Sequence, residues 1–455
     1  MKTEIFEKQV HINAPIETVF KWHARPGALE RLVPPWEHLT VMEKTGGILK
    51  GARVKMKLKV GPVPVSWLAE HTEYDENRMF KDHQVQGPFS RWVHTHHFEP
   101  DANNGCLLKD HIEYALPLSP VSHIFGRSFI RSKLEETFYY RHFTTQQDIA
   151  AHQRGGLPRQ KFLVSGASGV VGSVLIPFLT TGGHHVTRLV RNKPGSLKDA
   201  VYWNPQAHEL NPDDIAGTDV VIHLAGENIG QGAWTPEKKK RIVESRTKGT
   251  SLIAETIAGL NPRPRVLICA SAIGYYGNRD ECLLSETDCA GGDFISDVCD
   301  QWEKAAAPAL EKGIRVVFLR IGVALTPRGG ALERLALPFQ LGLGGMLGSG
   351  NQYMSWIGID DIIGAIHHTL ITETLEGPVN VVSQILSPTG NLPKHWPKSL
   401  TDPHSCVCRN RPSNWPSARW ERRCRFPAPA WNRKGLWKPA MYSGIPILKE
   451  PCGMY

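Results

Sequence analysis

The spacing of apolar positions changes character twice along the chain. Over residues 1–152 apolar and polar residues alternate in short runs, as in ARVKMKLKV (Ala52–Val60) and SRWVHTHHFEP (Ser90–Pro100), and a period of two predicts half-buried strands. Two stretches depart from it. APIETVFKWHA (Ala14–Ala24) is amphipathic and predicts a short helix, and Ser128–His152 predicts a long one, with Phe129, Leu134, Phe138 and Tyr139 at roughly helical spacing. Strands closed by a long helix predict an α+β domain, a curved sheet gripping one helix.

QRGGLPRQ (residues 153–160) follows, with Gly155, Gly156 and Pro158 as breakers, and reads as a linker. Over 161–383 short continuous apolar runs begin at Lys161, His184, Asp219, Arg265 and Ile314, each followed by a helical stretch. That alternation predicts a parallel sheet covered on both faces, a doubly wound α/β (Rossmann) domain. From residue 384 to 455 neither period survives, and the expectation is an irregular, largely disordered tail in which Pro recurs every few residues.

Composition changes this picture mainly at the tail. The formal charge of +9 would suggest nucleic acid as a partner. Residues 384–455, however, hold 12 Lys and Arg against 3 Asp and Glu, while the preceding 383 residues hold 41 of each sign. The basicity belongs to the tail alone, and no nucleic-acid partner is expected. The N-terminal MKTEIFEKQV is charged and lacks the apolar core of a secretory signal, and no uncharged apolar run reaches the about 18 residues of a membrane span. Nine cysteines without a C-x-x-C pair fit a reducing, cytoplasmic setting.

The chemistry begins at VSGASGVVGSVL, after the first strand of the second domain. Gly166, Gly169 and Gly172 form G-x-x-G-x-x-G, with Ala167, Ser168, Val170 and Val171 between them. Between a strand and a helix such glycines permit a tight turn, close approach to a pyrophosphate and close helix–strand packing, and the helix N-terminus faces the phosphates. NAD sites place an acid about 20 residues after the first glycine. Here TRLVRNKPG supplies Arg188, Arg191 and Lys193 and no acid. Arg191, at the strand end, suits a 2′-phosphate, so the expected cofactor is NADP(H); the same cations also fit a solvated strand end.

At these residues the chain resembles the extended short-chain dehydrogenase/reductases, and within them the atypical epimerase-like family of sugar-nucleotide epimerase type. The matching strings are VSGASGVVGSVL, VIHLAGENIGQGAWTPEKKKRIVESRTKGT, SAIGYYG and GGDFISDVCDQWEKAA, with LRIGVALTPRGG and its continuation. Residues 1–152 resemble the START-like (SRPBCC) helix-grip domains through HINAPIETVFKWHARPGALERLVPPW, DHQVQGPFSRWVHTHHF and DHIEYALPL. The resemblance implies a sheet wrapped on a helix around an apolar cavity. It also implies that His223, Leu224, Ala225 and Gly226 line the cofactor, that Arg246 reaches it, and that Ser271 and Tyr275 lie near the nicotinamide as catalytic candidates.

The usual Tyr-x-x-x-Lys pair, in which Lys lowers the Tyr pKa, is missing: its positions hold Ile295 and Cys299. NADP(H) binding to a small-molecule enzyme or to a non-catalytic binding protein are therefore both open readings, and oligomeric state is left open. Asp300 and Glu303 are further acid/base candidates, the latter sharing a helix face with Cys299. LGLGGMLGSGNQYMSWIG (Leu341–Gly358) reads as a substrate-side loop. His94 and His96 share a strand face beside His97, but no acid or Cys completes a ligand set at familiar sequence spacing, so aromatic-lined packing is expected and no metal. Trp22, Trp36, Trp67 and Trp92 suit either an apolar cavity or the core.

The tail lacks the family's closing motifs. Codons restore them. QILSPTGNLPKHW, written with suitable synonymous codons and read from the third base, gives N-P-V-T-N-R-E-F-T-Q-T-L, and NWPSARWERR and GLWKPAMYSGIPILKE yield family-like segments in the same register and order. The expectation is that translation leaves the family frame near codon 384.

Overall fold

The computed structural model describes residues 3–60, 63–101, 104–117, 126–193, 195, 199–333, 338 and 353–383. The out-of-frame reading of residues 384–455 therefore lies outside the described residues, as do residues 341–352 of the expected substrate-side loop.

The first domain is built from β1 (Glu4–Ile12), α1 (Ile16–Ala24), α2 (Ala28–Leu32), β2 (Leu39–Lys44), β3 (Arg53–Val60), β4 (Val63–Asp75), β5 (Met79–Gln86), β6 (Arg91–Asp101), β7 (Gly105–Ala115) and α3 (Arg127–Gly155). The strands form one antiparallel sheet in the order β1-β7-β6-β5-β4-β3-β2, so the chain's first strand pairs with its last. Register is held by what each strand buries. On β7, Cys106, Leu108, Ile112 and Tyr114 point inward, and a slip of one residue would turn them out. Two aromatic clusters fill the concave side. Phe20, Trp22, Phe80 and Phe98 pack with Ile149 of α3, and Phe6, Trp92, Ile112 and Tyr114 pack with Leu134 and Phe138. Trp22 and Trp92 are core, with Trp67 packed at the edge of the second cluster.

Of the apolar residues expected on the inward face of α3, Leu134 and Phe138 are buried, one turn apart, while Phe129 and Tyr139 stand about half exposed at 52% and 51%. The helix also continues through Gly155, three residues into the segment read as linker, and stops where Gly156 adopts φ +53°.

The second domain comprises β8 (Lys161–Ser165), α4 (Gly172–Thr181), β9 (His185–Val190), β10 (Ala200–Tyr202), β11 (Val220–His223), α5 (Pro236–Ala258), β12 (Val266–Ala272), α6 (Phe294–Lys304), α7 (Ala307–Glu311), β13 (Arg315–Ile321), β14 (Val323–Thr326), β15 (Trp356–Gly358), α8 (Ile359–Ile371) and β16 (Gly377–Val381). Its main sheet runs β10-β9-β8-β11-β12-β13-β16 with every pairing parallel, and β14 pairs with β15 apart from it. α4 and α8 cover one face, and α5, α6 and α7 the other, each against its own apolar cluster. Strand order reverses between β8 and β11, which opens a crevice at their carboxyl ends.

The two domains touch through the segment Arg25–Leu32, which includes α2, and through the end of α3. Arg31 makes a bidentate pair with Asp148 of α3 and reaches Asp360 of α8 at 3.3 Å. Arg25 Nη1 donates to the Thr181 carbonyl at the end of α4. Gly27, at φ +94°, lies so close to α4 that a Cβ would stand 2.7 Å from Pro177 Cα.

Candidate dinucleotide and substrate site

The glycine turn leaves β8 at Ser165. Gly166 takes φ +72°, and a Cβ there would stand 2.7 Å from the Leu224 carbonyl carbon, so turn and β11 exit approach more closely than any side chain permits. At Gly172, the first residue of α4, a Cβ would meet the Gly166 carbonyl oxygen at 2.3 Å. Gly169 donates its N–H to that same carbonyl. Ala167, Val170 and Val171 are half-buried, and Ser168 is exposed.

Ser165 Oγ ties the two strand ends together. It accepts from the Leu224 and Ala225 N–H groups and lies 2.6 Å from His223 Nδ1. His223 is fully buried; burial, followed by the nearby Arg246 charge, lowers its pKa to about 3 and keeps it neutral. Its imidazole thus faces inward, and at this position only backbone could meet a cofactor. Leu224 and Ala225 are half-buried, and Gly226 is exposed. Arg246, from α5, lies over Gly226, donates to the Glu227 carbonyl at 3.2 Å and stacks its guanidinium on Trp302 at 4.9 Å.

Arg188 and Arg191 are both exposed at β9, Arg191 just past the strand end. The Glu227 carboxyl is held low first by a hydrogen bond from Lys238, at 2.6 Å, with Arg191 among the contributing charges. Arg191 is thus near enough for its charge to act on Glu227.

The carboxyl ends of β12, β13 and β16 carry a second group. Ser271, Arg320 and Asn380 sit in register on three adjacent strands. Ser271 Oγ donates to Glu303 Oε1 at 2.6 Å, and Arg320 pairs with both oxygens of Glu303, each at 2.9 Å. Arg320 also donates to Tyr276 Oη at 2.9 Å, and Tyr276 donates to Asn380 Oδ1 at 2.7 Å. Burial would lower the Arg320 pKa, but the Glu303 and Tyr276 contacts outweigh it and raise it. Tyr275 lies with its ring under the same guanidinium, 3.5 Å from centroid to Cζ. Ser271 and Tyr275 are thus brought to one cluster, and Glu303 joins it as an ion-pair partner.

Arg320, Tyr276 and Asn380 were not anticipated. The available signal was Arg320 itself, a charge inside RVVFLRI, a strand otherwise buried on both faces. On α6, Ile295 packs its Cγ2 against Gly274, where a Cβ would stand 2.3 Å away. Cys299 is buried, and burial pushes its thiol up to about 11, so no thiolate forms there near neutrality.

A parallel-sheet switch point, a glycine turn beside it and a polar cluster at the neighbouring strand ends are features of a doubly wound α/β protein. Residues 162–381 match the NAD dependent epimerase/dehydratase family, and residues 12–137 match the family described as polyketide cyclase / dehydrase and lipid transport. An epimerase family protein of Mycobacterium bovis is 39% identical over 218 residues, covering 48% of this chain and 71% of that protein. One from Staphylococcus aureus is 37% identical over 233 residues, covering 50% of this chain and 76% of that protein. The crystal structure of a nucleoside-diphosphate sugar epimerase from Corynebacterium glutamicum superposes with TM-score 0.72 at 30% identity, covering 87% of this chain and 83% of that one. The chain belongs to the NAD-dependent epimerase/dehydratase family, and its N-terminal domain is of the polyketide cyclase/SRPBCC-like type. Among the described residues no helix is long and apolar enough to cross a membrane.

Proposed function

We propose that the chain binds NADP(H) across the β8–α4 turn and the β11 exit, and presents it to a small-molecule substrate at the ends of β12, β13 and β16, as an epimerase- or oxidoreductase-like protein. The functional units would be residues 1–152 and 161–383. The observation that carries the cofactor choice is Arg191, an exposed guanidinium just past the end of β9, in a stretch, Arg188 to Lys198, that contains no acid. A planar guanidinium pairs with a 2′-phosphate, whereas an Asp or Glu would be needed to hold the free ribose hydroxyls. The close backbone packing at Gly166 and Gly172 fits a turn that lies against a pyrophosphate. When bound, the nicotinamide supplies a hydride acceptor or donor. Tyr275 would offer a proton at the substrate, its ring oriented by Arg320, and Ser271 would hold Glu303 in place.

Titration with both cofactors tests this. Arg191→Ala should weaken NADPH binding roughly 10- to 100-fold, the worth of a charge-assisted contact of about 1.5–3 kcal/mol, and leave NADH unchanged. Equal losses for both would remove the 2′-phosphate reading.

A non-catalytic NADP(H)-binding protein is the second reading, favoured by one observation: Glu303 has both oxygens engaged by Arg320 and Ser271, while Ile295 and Cys299 stand where a Tyr and Lys would act. NADPH oxidation with a panel of carbonyl substrates separates the two. Binding without turnover supports the second reading, and failure to bind NADPH or NADH removes both. The N-terminal domain would take an apolar ligand, in keeping with its family match and its aromatic clusters.

A further inference from the structure

The concave face of the first sheet buries titratable groups that the dinucleotide site does not use. Asp82 on β5 lies in register opposite His94 on β6, and His96, on the same face of β6, lies opposite Asp110 on β7. The two imidazole centroids are 3.9 Å apart. His94 Nδ1 stands 3.6 Å from Asp82 Oδ2, while its Nε2 meets Asp110 Oδ1 at 2.8 Å. His96 Nδ1 is 2.7 Å from that same oxygen but misaligned, a buried nitrogen without a hydrogen-bond partner. His142 of α3 meets Asp110 Oδ2 at 2.6 Å. One donor atom each from Asp82, His94 and His96 lies within 4.8 Å of the others.

Asp110 is buried and Asp82 half-buried, and the Arg141 guanidinium acts on both while His142 meets Asp110. Imidazole nitrogens and a carboxylate oxygen on one face are donors that first-row divalent ions take.

We propose that Asp82, His94 and His96 bind one divalent first-row transition-metal ion, with Asp110 as the outer carboxylate that orients His94. Two His and one carboxylate on one face leave further coordination positions open to water or a ligand. Hydrogen bonding of His94 Nε2 to Asp110 commits Nδ1 to the ion, the carboxylate–histidine–metal arrangement seen around bound metals. With bonds of about 2.1 Å the donors would lie about 3–3.4 Å apart, so the widest pair would close by roughly 1.5 Å through side-chain rotation.

The test uses the full-length, tag-free protein after chelator treatment. Co2+ titration should give one equivalent per chain with visible d–d absorption, displaced by Zn2+. His94→Ala and Asp82→Asn should abolish it, with His96→Gln as a conservative second variant where either of those loses its far-UV circular dichroism. Asp110→Asn, a positioning change, should weaken binding roughly 10- to 100-fold. His97→Ala, on the opposite face of β6, should leave it intact. The proposal is overturned if wild type takes up no Co2+ or Zn2+, or if correctly folded His94→Ala and Asp82→Asn proteins bind as wild type does.

Discussion

Each of the two large sheets gathers a buried charged cluster at a place where neighbouring strands lie in register, and the two clusters end in different states. Across β12, β13 and β16 the residues are Ser271, Arg320 and Asn380, and the cluster is closed: Glu303 uses both oxygens, and Arg320 bonds Glu303 and Tyr276. Across β5, β6 and β7 they are Asp82, His94, His96 and Asp110, and one buried imidazole nitrogen is left without a hydrogen bond. A closed cluster behaves as scaffold, because every polar group already has its partner. An open one keeps unspent donors, the condition for taking up something from outside.

The largest effect should come from opening the closed cluster. Arg320→Met takes the buried partner from the largely shielded Glu303 carboxylate and should cost about 3–5 kcal/mol, read from urea unfolding. Replacing Glu303 by Leu in the same protein should recover much of that loss. A cost below about 1 kcal/mol would mean that water reaches the pair and the contrast fails.

Asp110→Asn removes the charged acceptor at the centre of the open cluster and should cost about 1.5–3 kcal/mol in the same assay without added metal. A smaller loss than for Arg320 is the sign that the first sheet tolerates rearrangement there. Next comes Gly166→Ala, which forces a Cβ into a left-handed backbone position already touching Leu224; about 1–2 kcal/mol should be lost, together with dinucleotide affinity.

The smallest and most specific effect is on pH dependence. His223 has a folded pKa of about 3 against an ordinary 6.5. The unfolded chain therefore takes up the proton first, and the stability His223 contributes is present above about pH 6.5 and is lost as pH falls toward 3. His223→Gln should flatten that part of the profile of unfolding free energy against pH. An unchanged slope would mean that the imidazole is not held neutral by the fold.

What the sequence made visible was local. The glycine turn could be read because its three glycines, the strand before and the helix after are contiguous, and Gly166 and Gly172 do make the close backbone contacts that their spacing suggests. The long helix α3 was visible in its Leu134–Phe138 pair, while the exposure of Phe129 and Tyr139 was not, since spacing alone does not say which helix positions the sheet covers. The open cluster was hidden for a plainer reason. His94 and His96 are neighbours in sequence, but their carboxylates come from β5 and β7, 12 and 14 residues away from their register partners, and only strand pairing brings them together. Arg320, Tyr276 and Asn380 were missed in the same way, and the short strands β10, β14 and β15 carry too few residues to show a period. For the tail the decisive observation is genetic: sequencing around codon 384 should reveal a single-base change that restores the family reading, and its absence would end that idea.

Arg31 gives the junction between the domains a history as well as a geometry. Its partner Asp148 belongs to the first domain and is synthesised early, while Asp360 is synthesised more than two hundred residues later. Asp148 thus gives Arg31 a partner within its own domain, and Asp360 adds a second from the start of α8. Asp360 and the close seat of Gly27 on Pro177 act as a latch between the two domains. Anyone transplanting the front domain onto another reductase would have to carry the Pro177 face of α4 and the acid at the start of α8 with it, because the recombination unit is larger than either fold.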